Sequence, residues 1–144
     1  MAVQKRNNAS RQSEASIQTE IRSLLIVLGY TVMETGKGRS RVSCRSCGAK
    51  TFATGWQGNT PGLPDLYVHR SGWQQPIAVG LELKAKDGKP SDAQQWLASQ
   101  CMTRIVRSCA EALSIVLDIE LLLGHADQAS KIKDTLAMNN WEKL

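Results

Sequence analysis

Ile17, Ile21, Leu24, Leu25 and Leu28 recur every three or four positions and stop at Gly29, which is the spacing of one buried helix face. Ser13 stands where an N-cap belongs, with Glu14 and Ser16 in the first turn, so an amphipathic helix is predicted over about 13–28. Alternating β-branched and aromatic residues in Tyr30-Thr-Val-Met-Glu-Thr then predict a short strand. Leu66-Tyr-Val-His reads as a second strand and Pro76-Ile-Ala-Val-Gly-Leu-Glu-Leu-Lys as a third, joined across Ser71-Gly72 as a hairpin and therefore neighbours. After the turn Asp87-Gly-Lys-Pro, Ser91 caps a helix expected to reach about Met102. A short strand from Arg104 to Val106, a helix from about Ser108 to Leu123 and a weaker helix over 125–141 complete the chain. That order predicts an α/β fold with a small mixed β-sheet flanked by helices.

Between the first two strands lies a glycine-rich, basic segment from Gly36 to about Gly62, containing Cys44, Cys47, Phe52 and Trp56. A loop that long in a small domain is functional or holds a small insert. Residues 1–12 are polar and read as a disordered basic arm, leaving a domain over 13–124 and a helical extension over 125–144. A length of 144 residues suits one domain, and 42% hydrophobic against 22% charged residues excludes wholesale disorder. The longest apolar run, Leu113 to Leu123, is broken by Ser114, Asp118 and Glu120, so no membrane-spanning helix is expected. No apolar stretch follows the basic residues after Met1, so no secretory signal is read and a cytoplasmic location is expected.

The formal charge of +5 is unevenly spread. Residues 1–110 carry 15 basic and 7 acidic side chains, whereas 111–144 carry 3 and 6. Lys37, Arg39, Arg41, Arg45 and Lys50 form the densest cluster, and Lys5, Arg6 and Arg11 a second. Binding of a polyanion and a merely solvated loop and arm both remain open on charge alone.

The third strand sets Glu82 and Lys84 among Ile77, Val79, Leu81 and Leu83. Alternation puts Glu82 and Lys84 on one face and the leucines on the other, so a carboxylate and an ammonium project side by side. Across the hairpin, Asp65 can approach Glu82, since paired strands lie about 4.8 Å apart. Two carboxylates at that range repel unless a divalent cation lies between them, and hard oxygen ligands suit Mg²⁺ or Mn²⁺. A lysine beside such a centre can steady a metal-bound hydroxide or a developing oxyanion. Glu-x-Lys by itself is common and more often marks a surface ion pair on an edge strand, with Asp65 a turn residue after Pro64. The informative set is Gly62-Leu63-Pro64-Asp65-Leu66, then Glu82-Leu83-Lys84 seventeen residues on, then Ser91-Asp92-Ala93-Gln94.

On these residues the chain resembles the PD-(D/E)xK nuclease superfamily and, within it, the VRR-NUC domain, over roughly residues 13–112. The resemblance implies a PD-(D/E)xK core in which Asp65, Glu82 and the Leu83 carbonyl bind one or two Mg²⁺ or Mn²⁺ ions. Lys84 then stabilises the nucleophilic water or the transition state, and Gln94 orients the lysine or a phosphate. Glu14 matches the family's first-helix glutamate, a ligand either directly or through water. Helical geometry favours it over Glu20, because Gln18 shares Glu14's face at an offset of about 40°. The implied activity is hydrolysis of DNA phosphodiesters, selective for branched or Holliday-junction DNA in repair. Standalone members resemble junction resolvases, which implies a homodimer in a bacterial or phage-infected cell. Alternatives are a sequence-nonspecific phage replication or packaging nuclease, a non-catalytic nucleic-acid-binding module, and a zinc-dependent interaction protein.

Cys44-Arg-Ser-Cys47-Gly has the spacing of half a zinc site, with free thiols as the other reading. No second half is evident: Cys101 and Cys109 lie far along the chain, and His69 ends a strand expected near the active site. Lys37, Arg39, Arg41, Arg45, Lys50 and Arg107 are the candidate phosphate contacts. Trp56 and Trp73 either stack on bases or pack at a sheet edge, while Trp96 and Trp141 are expected against helices. Leu113, Val116, Leu117 and 119–123 form an apolar stripe wide enough for a core helix and a dimer surface.

Overall fold

The computed structural model describes residues 12–35, 41–43, 46–48, 50–52, 62–74 and 77–141, with the backbone alone at 41–43 and 50–52. Helix α1 (Glu14–Val27) begins where Ser13 is extended and its hydroxyl accepts the Ser16 N–H, an N-cap as the sequence predicts. The chain continues through β1 (Thr31–Glu34), β2 (Arg41–Ser43), β3 (Lys50–Phe52), β4 (Leu66–His69) and β5 (Val79–Leu83). Helix α2 (Asp92–Ser99), β6 (Thr103–Val106), α3 (Cys109–Leu122) and α4 (Ala126–Met138) follow. Strands β1, β4, β5 and β6 form one mixed sheet in that order, antiparallel except for the parallel β5–β6 pair. Parallel neighbours need a crossover, and α2 supplies it. The expected α/β architecture, a mixed sheet flanked by helices, is therefore present.

Pairing of Leu66 with Leu81 and Val68 with Val79 aligns the apolar side chains of β4 and β5 on one face. Helices α1 and α3 cover that face with Ile17, Ile21, Leu25, Leu113 and Val116, all buried. Tyr67, Gly80 and Glu82 necessarily point to the other face, beside α2. Helix α4 packs on α3 and adds Ile132 and Leu136 to the same core, so the C-terminal helix is built into the domain.

Within the segment over 36–62 lies a short antiparallel pair, β2 with β3. The structure departs from the sequence pattern at three places. The β4–β5 hairpin does turn at Ser71-Gly72, where the Trp73 N–H donates to the Arg70 carbonyl at 2.9 Å, but register pairs Val68 with Val79, so the connection extends beyond that turn and brings Arg70 and Trp73 inward. Helix α2 ends at Ser99, short of Met102, because Cys101 adopts φ 57° and its N–H bonds the Ala98 carbonyl. Trp96, expected against a helix, is 62% exposed on α2.

A buried polar hub lies under α3. Leu113, Val116 and Glu120 share the helix's inner face, and Glu120 is 0% exposed. Its carboxylate accepts hydrogen bonds from Tyr30 Oη (2.8 Å), Trp73 Nε1 (2.8 Å), Arg70 Nε (2.7 Å) and Arg70 Nη2 (2.6 Å), with His125 Nδ1 at 2.7 Å. Burial pushes the Glu120 carboxyl up, but hydrogen bonds from Arg70, Tyr30, Trp73 and His125 outweigh it and hold the pKa down at about 2. The same burial, and the bond to Glu120, push the Tyr30 phenol up. This hub ties the segment after α1, the β4–β5 connection and the start of α4 together.

Candidate active site

Asp65 enters the sheet on a chain held from three sides. Gly62 has φ +91°, and a Cβ there would stand 2.9 Å from the Ala93 carbonyl oxygen, so only glycine lets α2 lie this close. Pro64 is buried, and a Cβ on Gly80 would meet its Cγ at 2.7 Å. The Thr35 N–H donates to the Asp65 carbonyl at 3.0 Å, and the Thr35 hydroxyl donates to the Pro64 carbonyl. One step beyond the Leu66–Leu81 pair, antiparallel register sets Asp65 opposite Glu82. Asp65 Oδ2 accepts the Leu83 N–H at 2.8 Å, which orients the carboxylate toward β5.

Glu82 is only 1% exposed, and a buried carboxylate requires partners. Lys84 Nζ lies 2.9 Å from its Oε1, and Gln94 Nε2 donates to the same oxygen. Gln94 is also the third residue of α2 and closes a capping box: its Oε1 accepts the Ser91 N–H at 2.8 Å while the Ser91 hydroxyl accepts the Gln94 N–H. The cap thus fixes which end of the amide faces Glu82. Glu82 and Lys84 lie side by side as alternation predicts, while Gln94, expected to orient the lysine or a phosphate, donates to Glu82, and the Gln95 side chain donates to the Pro90 carbonyl.

Glu14 approaches from the start of α1, its Oε1 accepting the Ala85 N–H at 3.3 Å. Glu20 is turned to Gln12 and Ser16. On the opposite side of the loop, Arg107 Nη1 donates to the carbonyls of Ala85 (2.7 Å) and Gly88 (2.8 Å), and the Arg107 N–H donates to Glu111. This guanidinium nitrogen, a candidate phosphate contact in the sequence, holds the backbone that follows Lys84. Replacing Arg107 with alanine is expected to speed amide exchange at Ala85 and Gly88 by about tenfold, with Arg107→Lys restoring part of the protection. Unchanged exchange would show that the loop is held by other groups.

His69, expected near the site, sits at the far end of β4 from Asp65, with Nδ1 2.7 Å from the Ile77 carbonyl and its ring edge-on to Trp73. Trp73 is buried and donates to Glu120, so it packs in the core and offers no face to a base. Lys37, Arg39, Cys44, Arg45 and Trp56 lie outside the described residues, as do the side chains of Arg41 and Lys50. The zinc expectation at Cys44 and Cys47 thus falls partly outside them, and Cys47 is an exposed free thiol. Two contributors escaped the sequence reading, Thr35 and Glu111. Thr35 carries no local signal, since its partners lie 29 and 30 positions away, whereas Glu111 accepts the Arg107 N–H from four positions further on.

Metal fit depends on the donor set. Among the described residues no three His, Cys, Asp or Glu side chains gather as a metal-holding group. Asp65 and Glu82 supply two hard oxygen donors, with the Leu83 carbonyl next to Glu82 in the chain. Such a set fits Mg²⁺, which binds through one or two carboxylates, keeps several waters and takes the rest from phosphate.

No protein-family model matches the chain, and no curated protein or solved structure does either. No described helix is long and apolar enough to cross a membrane.

Proposed function

We propose that this chain is a Mg²⁺- or Mn²⁺-dependent DNA endonuclease of the PD-(D/E)xK type, VRR-NUC-like, acting on branched DNA. The observation that carries the reading is Asp65 opposite Glu82 on paired strands, with Lys84 and Gln94 on the Glu82 carboxylate. A surface ion pair on an edge strand would need none of this: Glu82 is buried, and β5 is an inner strand.

Asp65, Glu82 and the Leu83 carbonyl would hold the ion. When bound, it lowers the pKa of coordinated water and polarises the phosphoryl oxygen. Lys84 carries its ammonium on the site face, where it stabilises negative charge developing on the phosphate. Gln94 holds the Glu82 rotamer, and Glu14 and Arg107 hold the main chain just after Lys84. The exposed Lys86 and Lys89 on the same loop supply positive charge for the flanking backbone.

The test is incubation of the full chain with labelled four-way junction, flap and duplex DNA, in Mg²⁺, in Mn²⁺ and in chelator. Metal-dependent cutting that favours junction or flap is expected. Equal cutting of plain duplex would replace structure selectivity by a nonspecific nuclease. Binding without cutting under every metal condition would leave a nucleic-acid-binding module.

A further inference from the structure

Two demands on Lys84 exclude each other. Its Nζ lies 2.9 Å from Glu82 Oε1, with 12% of the lysine side chain exposed against 1% of the glutamate's. A buried carboxylate needs a cation or donors at hand, and the lysine is that cation, beside the Gln94 amide on the same oxygen. Glu82 is also one of the two carboxylates offered to Mg²⁺ or Mn²⁺. An ion on it would face the ammonium at close range, like charge against like.

The surroundings decide which group gives way. Glu82 stands on an inner strand, and the Gln94 amide is held from behind by the Ser91 N–H. The main chain at Lys84 is fixed as well: its N–H donates to the Val106 carbonyl at 3.0 Å, and Glu14 and Arg107 grip Ala85, the next residue. Only the lysine side chain is free to turn, because its four-carbon stem is flexible and its ammonium bonds from any direction. A cation arriving at Glu82 therefore displaces the ammonium and leaves the carboxylate in place.

We propose that Lys84 competes with the divalent ion for Glu82: the ammonium neutralises the carboxylate until an ion binds there, and is then released to face the phosphate. This competition presupposes the metal centre proposed above and adds an order of events to it, since the lysine becomes available to the phosphate only after the ion is in place. Linkage makes the antagonism reciprocal: the ion weakens the Lys84–Glu82 contact by the factor by which that contact weakens the ion's binding. Removing the ammonium thus strengthens ion binding while removing a group the chemistry needs.

Mn²⁺ titration of the full chain without DNA, read by calorimetry and by thermal melting, tests this. Lys84→Ala is expected to bind Mn²⁺ about tenfold more tightly than wild type, and Mn²⁺ to raise its Tm by more than it raises that of wild type. If the alanine variant does not fold, Lys84→Met, which keeps the stem and drops the charge, reads the same competition. Lys86→Ala removes an exposed charge two residues on and is expected to leave the Mn²⁺ affinity within about twofold of wild type. In wild type, saturating Mn²⁺ is expected to speed acetylation of Lys84 by an anhydride, followed by mass spectrometry. An affinity unchanged or weakened by loss of the Lys84 charge overturns the proposal and leaves the metal centre standing. So does a gain that Lys86→Ala shares, or acetylation of Lys84 that Mn²⁺ does not speed. If neither wild type nor the Lys84 variants take up Mn²⁺, the metal centre itself falls, and the competition with it.

Discussion

Lys84→Ala is expected to slow metal-dependent DNA cleavage by about a thousandfold, the scale lost when one preorganised group facing developing charge is removed. Its ammonium lies 2.9 Å from Glu82 Oε1 and shares that oxygen with Gln94. Removing it takes away the cation proposed to face the phosphate while leaving the amide on the carboxylate. Asp65→Asn separates charge from shape. The amide oxygen still accepts the Leu83 N–H, now made by Oδ2 at 2.8 Å, so the fold is retained while one of the two hard anionic donors is lost. Cleavage is expected to fall by a similar factor, with the thermal midpoint within about 3 °C of wild type. Initial rates on a junction substrate, measured beside thermal melts, read both quantities. Variants that cut like wild type would move the active centre away from the β4–β5 pair. Variants that fail to fold would show instead that Asp65 and Lys84 act mainly as structural groups.

The largest stability effect is expected at Glu120, far from that chemistry. Glu120→Gln removes the charge facing Arg70 and forces an amide that also donates into a ring of donors: Tyr30 Oη, Trp73 Nε1, and Arg70 Nε and Nη2. Breaking one side of a buried ion pair costs about 3–5 kcal/mol. Arg70 retains some solvent access, with 20% of its side chain exposed, which places the expected loss near the lower figure, about 3 kcal/mol, and lowers Tm by about 10 °C.

The pH dependence follows the same group. The Glu120 pKa falls from an ordinary 4.5 to about 2 on folding, so folding favours its ionised form. This stabilisation is complete above pH 4.5 and is lost as pH falls through about 2. The groups facing Glu120 are Arg70, Tyr30, Trp73 and His125. Arg70 and Tyr30 do not titrate in that window: the Arg70 pKa is raised, chiefly by its hydrogen bond to Glu120, and that of Tyr30 is raised by burial. Urea unfolding between pH 2 and 5 should therefore show wild type losing stability that Glu120→Gln never had, so the two curves converge at low pH. Parallel curves would mean that other carboxylates carry the acid sensitivity.

Local periodicity made several features readable from the chain alone. The Ser13 cap, the inward face of α1, and Glu82 and Lys84 opposite Leu81 and Leu83 depend on residues within one turn or two positions of each other. Geometry over that range is set by the backbone itself. Ser91 also reads correctly as a helix start, since a side-chain cap acts within one turn. The limit shows at Trp96: a tryptophan on a short amphipathic helix reads as packed, yet 62% of its surface is exposed.

Other features arise only when distant segments meet. Asp65 faces Glu82 because β4 and β5 pair in one register, and a slip of one residue would turn Asp65 to the opposite face. The β4–β5 connection is long because Arg70 and Trp73 must reach a carboxylate 50 and 47 positions away, and Tyr30 reaches it across 90. In sequence, Glu120 reads as a break in an apolar run; its position on the face of Leu113 and Val116 was the available sign that it is buried. A buried carboxylate must find donors, but which donors depends on what the fold brings within 3 Å. Periodicity along one element thus determined which side chains share a face. Register and packing between elements decided which of them became partners, because hydrogen bonds and ion pairs act over distances far shorter than the chain separations that had to be closed.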